Sequence, residues 1–178
     1  MIDKAPRVIP DFLSHLTVYK GLPVPFFTAI GRDGNPDFRA HSPKRHSEAI
    51  RGKLCGICGK RLVYWQTLVV GPKELESRMT YMPAMHDECA RYAMSMCPFL
   101  VSEEHVMRSA AEVREGRRMA VTDKLLPKPT KLAVVRTSNY RIVYGVLMMI
   151  GHENDLFAPL KHVEWHEYRD GKLEAAHV

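Results

Sequence analysis

LCGICGKRL (residues 54–62) and MHDECARYAMSMCPFL (residues 85–100) hold all four cysteines of this 178-residue chain. Cys55 and Cys58 are separated by two residues and followed by Gly59. Two thiolates at that spacing can bind one ion from a tight turn. The residue after the second one favours positive φ, which glycine adopts without steric cost. Backbone N–H groups of such a turn can donate to the sulfurs and ease their charge. His86 and Cys89 are three apart in a segment of helical pattern, so both can reach a common ion from the first turn of a helix. Cys55, Cys58, His86 and Cys89 thus form a Cys3His set, expected to hold one structural Zn2+ in a tetrahedron. Four protein ligands leave no position for water, so the ion is expected to support folding rather than reaction.

The two pairs are 27 residues apart (59–85), which leaves room for a strand, a turn and a return before the helix. A CxxCG knuckle, a hairpin and a helix carrying HxxC resemble the treble-clef class of zinc modules. The likeness covers about residues 52–101 and implies a metal site, not an activity. The fuller pattern, CxxCG, Val70-Gly71-Pro72, a proline before HxxCA and then CPFL, also looks like uncharacterised proteins of phages and their bacterial hosts. Cys97 is eight residues past Cys89, a rise of about 12 Å along a helix, too far for the same ion. It shares a helical stripe with Cys89, Ala93, Met96 and Leu100 and is expected to be a buried apolar thiol. The alternatives are a reactive thiol, or a ligand if the helix breaks before Pro98.

Outward from this module the chain reads as β-rich. Residues 24–41 suggest a hairpin, with Phe26–Ile30 and Asp37–Ala40 flanking the turn Gly31–Pro36. Ahead of it, Pro6, Pro10, Pro23 and Pro25 argue for an extended arm. Ser42-Pro43 opens a short helix over Lys44–Arg51 that ends at Gly52. Residues 61–71 read as a strand stopped by Gly71-Pro72, and residues 86–100 as a helix. Residues 103–120 have helical composition behind a Ser102 cap. Residues 131–150 read as a second hairpin with Ser138-Asn139 near its turn. HVEWHEYRDGKLEAA (162–176) alternates as a strand and turns at Asp170-Gly171. The expected fold is α+β, a single small β-rich domain (1–178) built around the treble-clef-like zinc module.

No apolar run approaches the ~20 residues that span a bilayer, and MIDKAPRVIPDFLSH has no apolar core of a signal peptide. A cytoplasmic protein without a membrane partner is expected, where spaced cysteine pairs read as metal ligands rather than disulfides. The net charge of +6 is unevenly spread. Residues 39–61 carry Arg39, Lys44, Arg45, Arg51, Lys53, Lys60 and Arg61 against Glu48 alone, and residues 108–141 are basic too, with Arg114, Arg117 and Arg118 among them. Acidic segments alternate with these blocks. A face uniting the basic blocks would attract a polyanion. Tyr64 and Trp65 follow closely on Lys60-Arg61, after Leu62 and Val63, and an exposed ring there could stack on a base.

Catalytic patterns are wanting. A treble-clef nuclease needs a strand-borne general-base histidine, and the only histidine between 47 and 104 is His86, already spent on the metal. The cysteine order differs from that of zinc deaminases, and no phosphate-cradling glycine loop or Gly-x-Ser-x-Gly motif occurs. His162 and His166 would share a strand face about 13 Å apart, too far for one ion. The leading expectation is a non-enzymatic, zinc-stabilised nucleic-acid-binding protein, DNA or RNA, of phage accessory type. The alternative is a protein-binding adaptor or inhibitor of a host factor, using a patch near Met79, Met82 and Met85. A metal-dependent nuclease ranks third.

Overall fold

The computed structural model describes residues 8–101, 129–151, 159–169 and 172–176. The helix expected over 103–120, with Arg114, Arg117 and Arg118, lies outside these residues, as do His152, His177 and the turn at Asp170-Gly171. A 3-10 turn at Asp11–Leu13 is followed by a short hairpin of β1 (Val18–Tyr19) and β2 (Leu22–Pro23). Next come β3 (Thr28–Ile30), β4 (Pro36–His41), α1 (Pro43–Gly52), β5 (Gln66–Val70), α2 (Pro72–Ser77) and β6 (Met79–Thr80). α3 (Asp87–Met96) and α4 (Pro98–Val101) precede β7 (Lys131–Thr137), β8 (Tyr140–Val143), β9 (Val146–Met149), β10 (His162–Arg169) and β11 (Lys172–Ala175). Helices and antiparallel strands make an α+β, β-rich architecture. No helix among the described residues is long and apolar enough to cross a membrane.

The main sheet has the order β11-β10-β7-β5, antiparallel throughout. Every residue of β5 is buried, as is most of β7, so these β-branched and aliphatic runs are covered on both faces. Leu68, Val70, Val134 and Val135 join Leu13, Cys55, Cys89 and Ala90 in one core. The proline-bearing N-terminal segment is therefore no loose arm: Leu13 is fully buried.

Residues 131–150 do not form the expected single hairpin. β7 pairs with β5 and β10, whereas β8 pairs with β9 and β6 in a separate three-stranded sheet. Ser138-Asn139 is the crossover between the sheets, and the tight turn is Tyr144-Gly145, both at positive φ. The Thr137 hydroxyl donates to the carbonyls of Asn139 and Ile150, fixing that crossover. The strand expected over 61–71 is also shorter, because Arg61 bridges Leu54 in the stem of the cysteine knuckle and pairing resumes only at Gln66. Likewise the 86–100 helix breaks at Cys97 (φ −70, ψ 119), since the residue before proline is pushed out of the helical region.

α1 begins as read, with the Ser42 hydroxyl accepting from the Arg45 N–H and proline in the first turn. Its left-handed cap, however, is Lys53 at φ 50, one residue beyond Gly52. Lys53 Nζ donates to Asn139 Oδ1 at 2.9 Å and lies over the Tyr140 ring, whose hydroxyl donates to the Ile50 carbonyl at 2.7 Å. These contacts tie α1 to β8.

A ladder of rings runs beside α1. Phe27 and His41 have centroids 4.7 Å apart, His41 stacks at 6.2 Å on His46, and His46 stacks at 4.1 Å on Tyr81. The His46 Nε2 pairs with the Tyr81 carbonyl. Burial, with the neighbouring His46 second, pushes His41 down to about 4. An unfolded chain, with histidine near 6.5, therefore binds the proton first as pH falls. Stability should decline between pH ~6.5 and ~4, with His41 contributing on the order of 2 kcal/mol after discounting for its partial exposure. Urea midpoints across that window should show a steeper acid loss for the native chain than for His41→Gln; parallel curves would contradict this.

Candidate metal centre

The sulfurs of Cys55, Cys58 and Cys89 and one ring nitrogen of His86 lie within 4.8 Å of one another, the one such donor group that contains cysteine among the described residues. Tetrahedral ligands at 2.3 Å from an ion stand about 3.8 Å apart, so the spacing suits one ion. Three soft thiolates and an imidazole are a donor set that favours zinc or iron over hard cations.

Local chain geometry explains the convergence. The knuckle stem is a short antiparallel ribbon in which the Cys55 N–H donates to the Lys60 carbonyl and the Leu62 N–H to the Lys53 carbonyl, both at 2.8 Å. Gly59 has φ +72, and a Cβ there would meet the Phe26 ring at 2.8 Å. The backbone N–H groups of Cys58 and His86 are directed at the Cys55 sulfur, and that of Lys60 at Cys58. Such donors stabilise thiolates. His86 is the N-cap of α3, and Cys89 sits in the first turn. The His86 Nδ1 stands 3.3 Å from the Cys58 sulfur. Its Nε2–H donates to the Arg61 carbonyl at 3.1 Å. That bond selects the tautomer whose Nδ1 lone pair faces the thiols, an outer-shell arrangement typical of metal-binding histidines.

With no cation, the three thiols compete. Hydrogen bonds from Cys55 and then Cys89 hold Cys58 far below the usual thiol range. Those same contacts push Cys89 up, through Cys55 first and then Cys58, and Cys55 up through Cys58. A divalent ion removes the conflict by allowing all three to ionise.

The knuckle is also a structural hub. The N–H groups of Phe26 and Phe27 donate to the carbonyls of Ile57 and Gly56, and the Gly56 N–H to that of Ala84. His15 Nε2 pairs with the Cys58 carbonyl at 2.9 Å. The second ligand pair is brought in by the Gly56–Ala84 hydrogen bond and by one bridge, Thr67 with Met85, on the edge of β5 that β7 leaves open, and not by a hairpin within the module. Asp87 at the start of α3 bonds Arg91 and Arg136, which fastens the ligand-bearing helix to β7. Cys97 stands apart from the ligand group and is half-buried, not sunk in the core as expected.

Of the expected nucleic-acid contacts, Lys44, Arg45, Arg51, Lys53, Lys60 and Arg61 are exposed. Arg39 is on β4, with its side chain outside the described set. Arg45 reaches the Phe26 carbonyl at 3.3 Å and lies over the Phe26 ring, which itself covers Gly59. Contacts therefore connect Arg45 on α1 to the knuckle that bears Lys60 and Arg61. In the second basic block, Arg136 is engaged by Asp87 and Glu164, and Lys131 lies over the Trp165 ring at 4.4 Å. Neither Tyr64 nor Trp65 enters the core: Val63, Tyr64 and Trp65 are 71%, 70% and 46% exposed. Trp65 meets His162 edge-on at 5.2 Å, a role for that histidine that the sequence did not suggest. Met85 is buried, so the three methionines do not form an exposed patch.

Two substitutions test the centre. Cys55→Ser should remove the protein from the soluble fraction, since an uncompensated fully buried cluster cannot hold the knuckle. Gly59→Ala should cost about 2 kcal/mol from the left-handed backbone and the Phe26 clash, read by chemical denaturation. No family model, curated protein or solved structure matches this chain.

Proposed function

We propose that the chain is a non-enzymatic nucleic-acid-binding protein whose treble-clef-like knuckle and helix are stapled by one structural Zn2+. The observation that carries the reading is the run of exposed cations on α1 and the knuckle: Lys44, Arg45, Arg51, Lys53, Lys60 and Arg61. Only Glu48 opposes them within residues 39–61. Three thiolates and one divalent ion leave about −1 on the centre, which Lys53, Lys60 and Arg61 more than offset. Phosphates are the complementary ligand, and Tyr64 and Trp65 beside Arg61 offer faces for bases. A saturated Cys3His set has no place for an activated water, which argues against the nuclease reading.

The exposed Val63-Tyr64-Trp65 run favours a second reading, a protein-binding adaptor or inhibitor, because contiguous apolar surface rimmed by charge is common at protein interfaces. Salt dependence separates the two. Phosphate binding should weaken steeply with added salt, and replacing Lys60 and Arg61 together with Gln should lower the logarithmic salt slope by about two. No mobility shift of any DNA or RNA at low salt would overturn the nucleic-acid reading. Elemental analysis of purified protein should give one zinc per chain, and a chelator should unfold it.

A further inference from the structure

A groove of about 230 Å³ lies between α1 and the tip of the β8–β9 hairpin. Ile50 is among its buried lining, Ser47 and Arg51 come from α1, and Tyr81, Ile142 and Tyr144 complete the lining. Among the described residues, no acidic side chain lines it. The volume is below the ~300–1,000 Å³ of sites for drug-sized ligands and suits a single planar ring system.

The two tyrosines differ in their support. Tyr81 is 40% exposed, and its ring is backed by His46 at 4.1 Å and 14°. It is thus a fixed platform with surface still open to solvent. Tyr144 is 101% exposed and occupies the first position of a two-residue turn at φ 50, followed by Gly145 at φ 80. Val143 pairs with Val146 across that turn, and two successive positive φ angles are the type I′ pattern, which prefers Asn-Gly. An aromatic residue there accepts backbone strain and recovers no burial in the folded chain. Two tyrosines and an arginine among the lining of a ring-sized space, with no carboxylate from the described residues, are complementary to a planar group joined to an anion.

We infer that this groove clamps one unpaired base of a single-stranded nucleic acid, stacked on Tyr81 and Tyr144, with an adjoining phosphate on Arg51. The inference rests on the nucleic-acid reading above and adds to it a preference for unpaired strands. Arg51 belongs to both the basic run and the groove, so a strand crossing α1 would meet phosphate contacts and the clamp together. A base within a duplex has its faces occupied by neighbours and can enter only if flipped out.

The test uses the zinc-loaded full chain and fluorescence anisotropy at low salt. Probes are twelve-nucleotide single-stranded DNA and RNA of one sequence, the matching duplexes, and a single-stranded DNA carrying 2-aminopurine. Tyr144→Asn is the informative variant, because Asn-Gly suits the turn and should keep or raise thermal stability. Expected are tighter binding of the single strands than of the duplexes, quenching of 2-aminopurine on binding, and a loss of about 5- to 100-fold in single-strand affinity for Tyr144→Asn with duplex affinity unchanged. Equal affinity for strand and duplex, or a Tyr144→Asn variant that binds as the native chain does, would overturn the clamp and leave the basic surface standing. Absence of binding to every probe would overturn the basic-surface reading and the clamp with it. The DNA and RNA arms distinguish which polymer supplies the base.

Discussion

Three cysteine sulfurs and an imidazole nitrogen gathered within 4.8 Å are a demanding constraint on a chain of this size. As thiolates they repel one another, and as thiols they forgo the charge that makes them good ligands, so a cation is the partner that suits the cluster. The rest of the fold leans on it. The knuckle loop receives the N-terminal segment through His15, the β3 segment through Phe26 and Phe27, and the approach to α3 through Ala84. β3 and β4 form a sheet of their own, so the knuckle joins these pieces without strand pairing to the main sheet. The Cys3His cluster sits where a continuous sheet would join these segments in a larger domain.

Around this hub the molecule separates rigid from presented surface. β5 and β7 are buried on both faces and carry little chemistry. Polar and aromatic groups are displaced to the edges: the 63–65 segment between knuckle and strand, α1 with its cations, and the tip of the β8–β9 hairpin. The ring ladder from Phe27 through His41 and His46 to Tyr81 physically connects the knuckle's cradle to the groove beside α1.

Charge is divided in the same way. Arg91 and Arg136 are engaged by Asp87 and Glu164, a network that docks α3 onto the main sheet. The cations of α1 and the knuckle stay exposed; among the described residues Arg45 touches a backbone carbonyl and a ring, and Lys53 an amide and a ring. Basic residues of similar spacing in the sequence thus take two roles. Arg91 and Arg136 are paired with carboxylates, whereas the cations near the knuckle have almost no acidic residues in their segment to pair with.

Local interactions made part of this legible in the linear chain. The ligand set follows from paired spacing, the positive φ of Gly59 from knuckle geometry, the start of α1 from its Ser-Pro cap, and the C-terminal strand from alternation. Each depends on residues within a few positions of one another. Partner choice among strands does not. Val134 and Val135 are as compatible with a local hairpin as with a central strand, and only the distant β5 and β10 decide between them. Cys97 shows the same limit: its apolar stripe suggested the core, yet Pro98 breaks the helix and turns it aside. The exposure of Tyr64, Trp65 and Tyr144, and the stacking that aligns His46 with Tyr81, arise from segments dozens of residues apart. The sequence by itself determined which atoms could bind a metal and where the cations lie along the chain. The tertiary structure decided which strands are neighbours, which cations remain unneutralised and which rings face solvent, because those outcomes depend on contacts between segments with no local preference for each other.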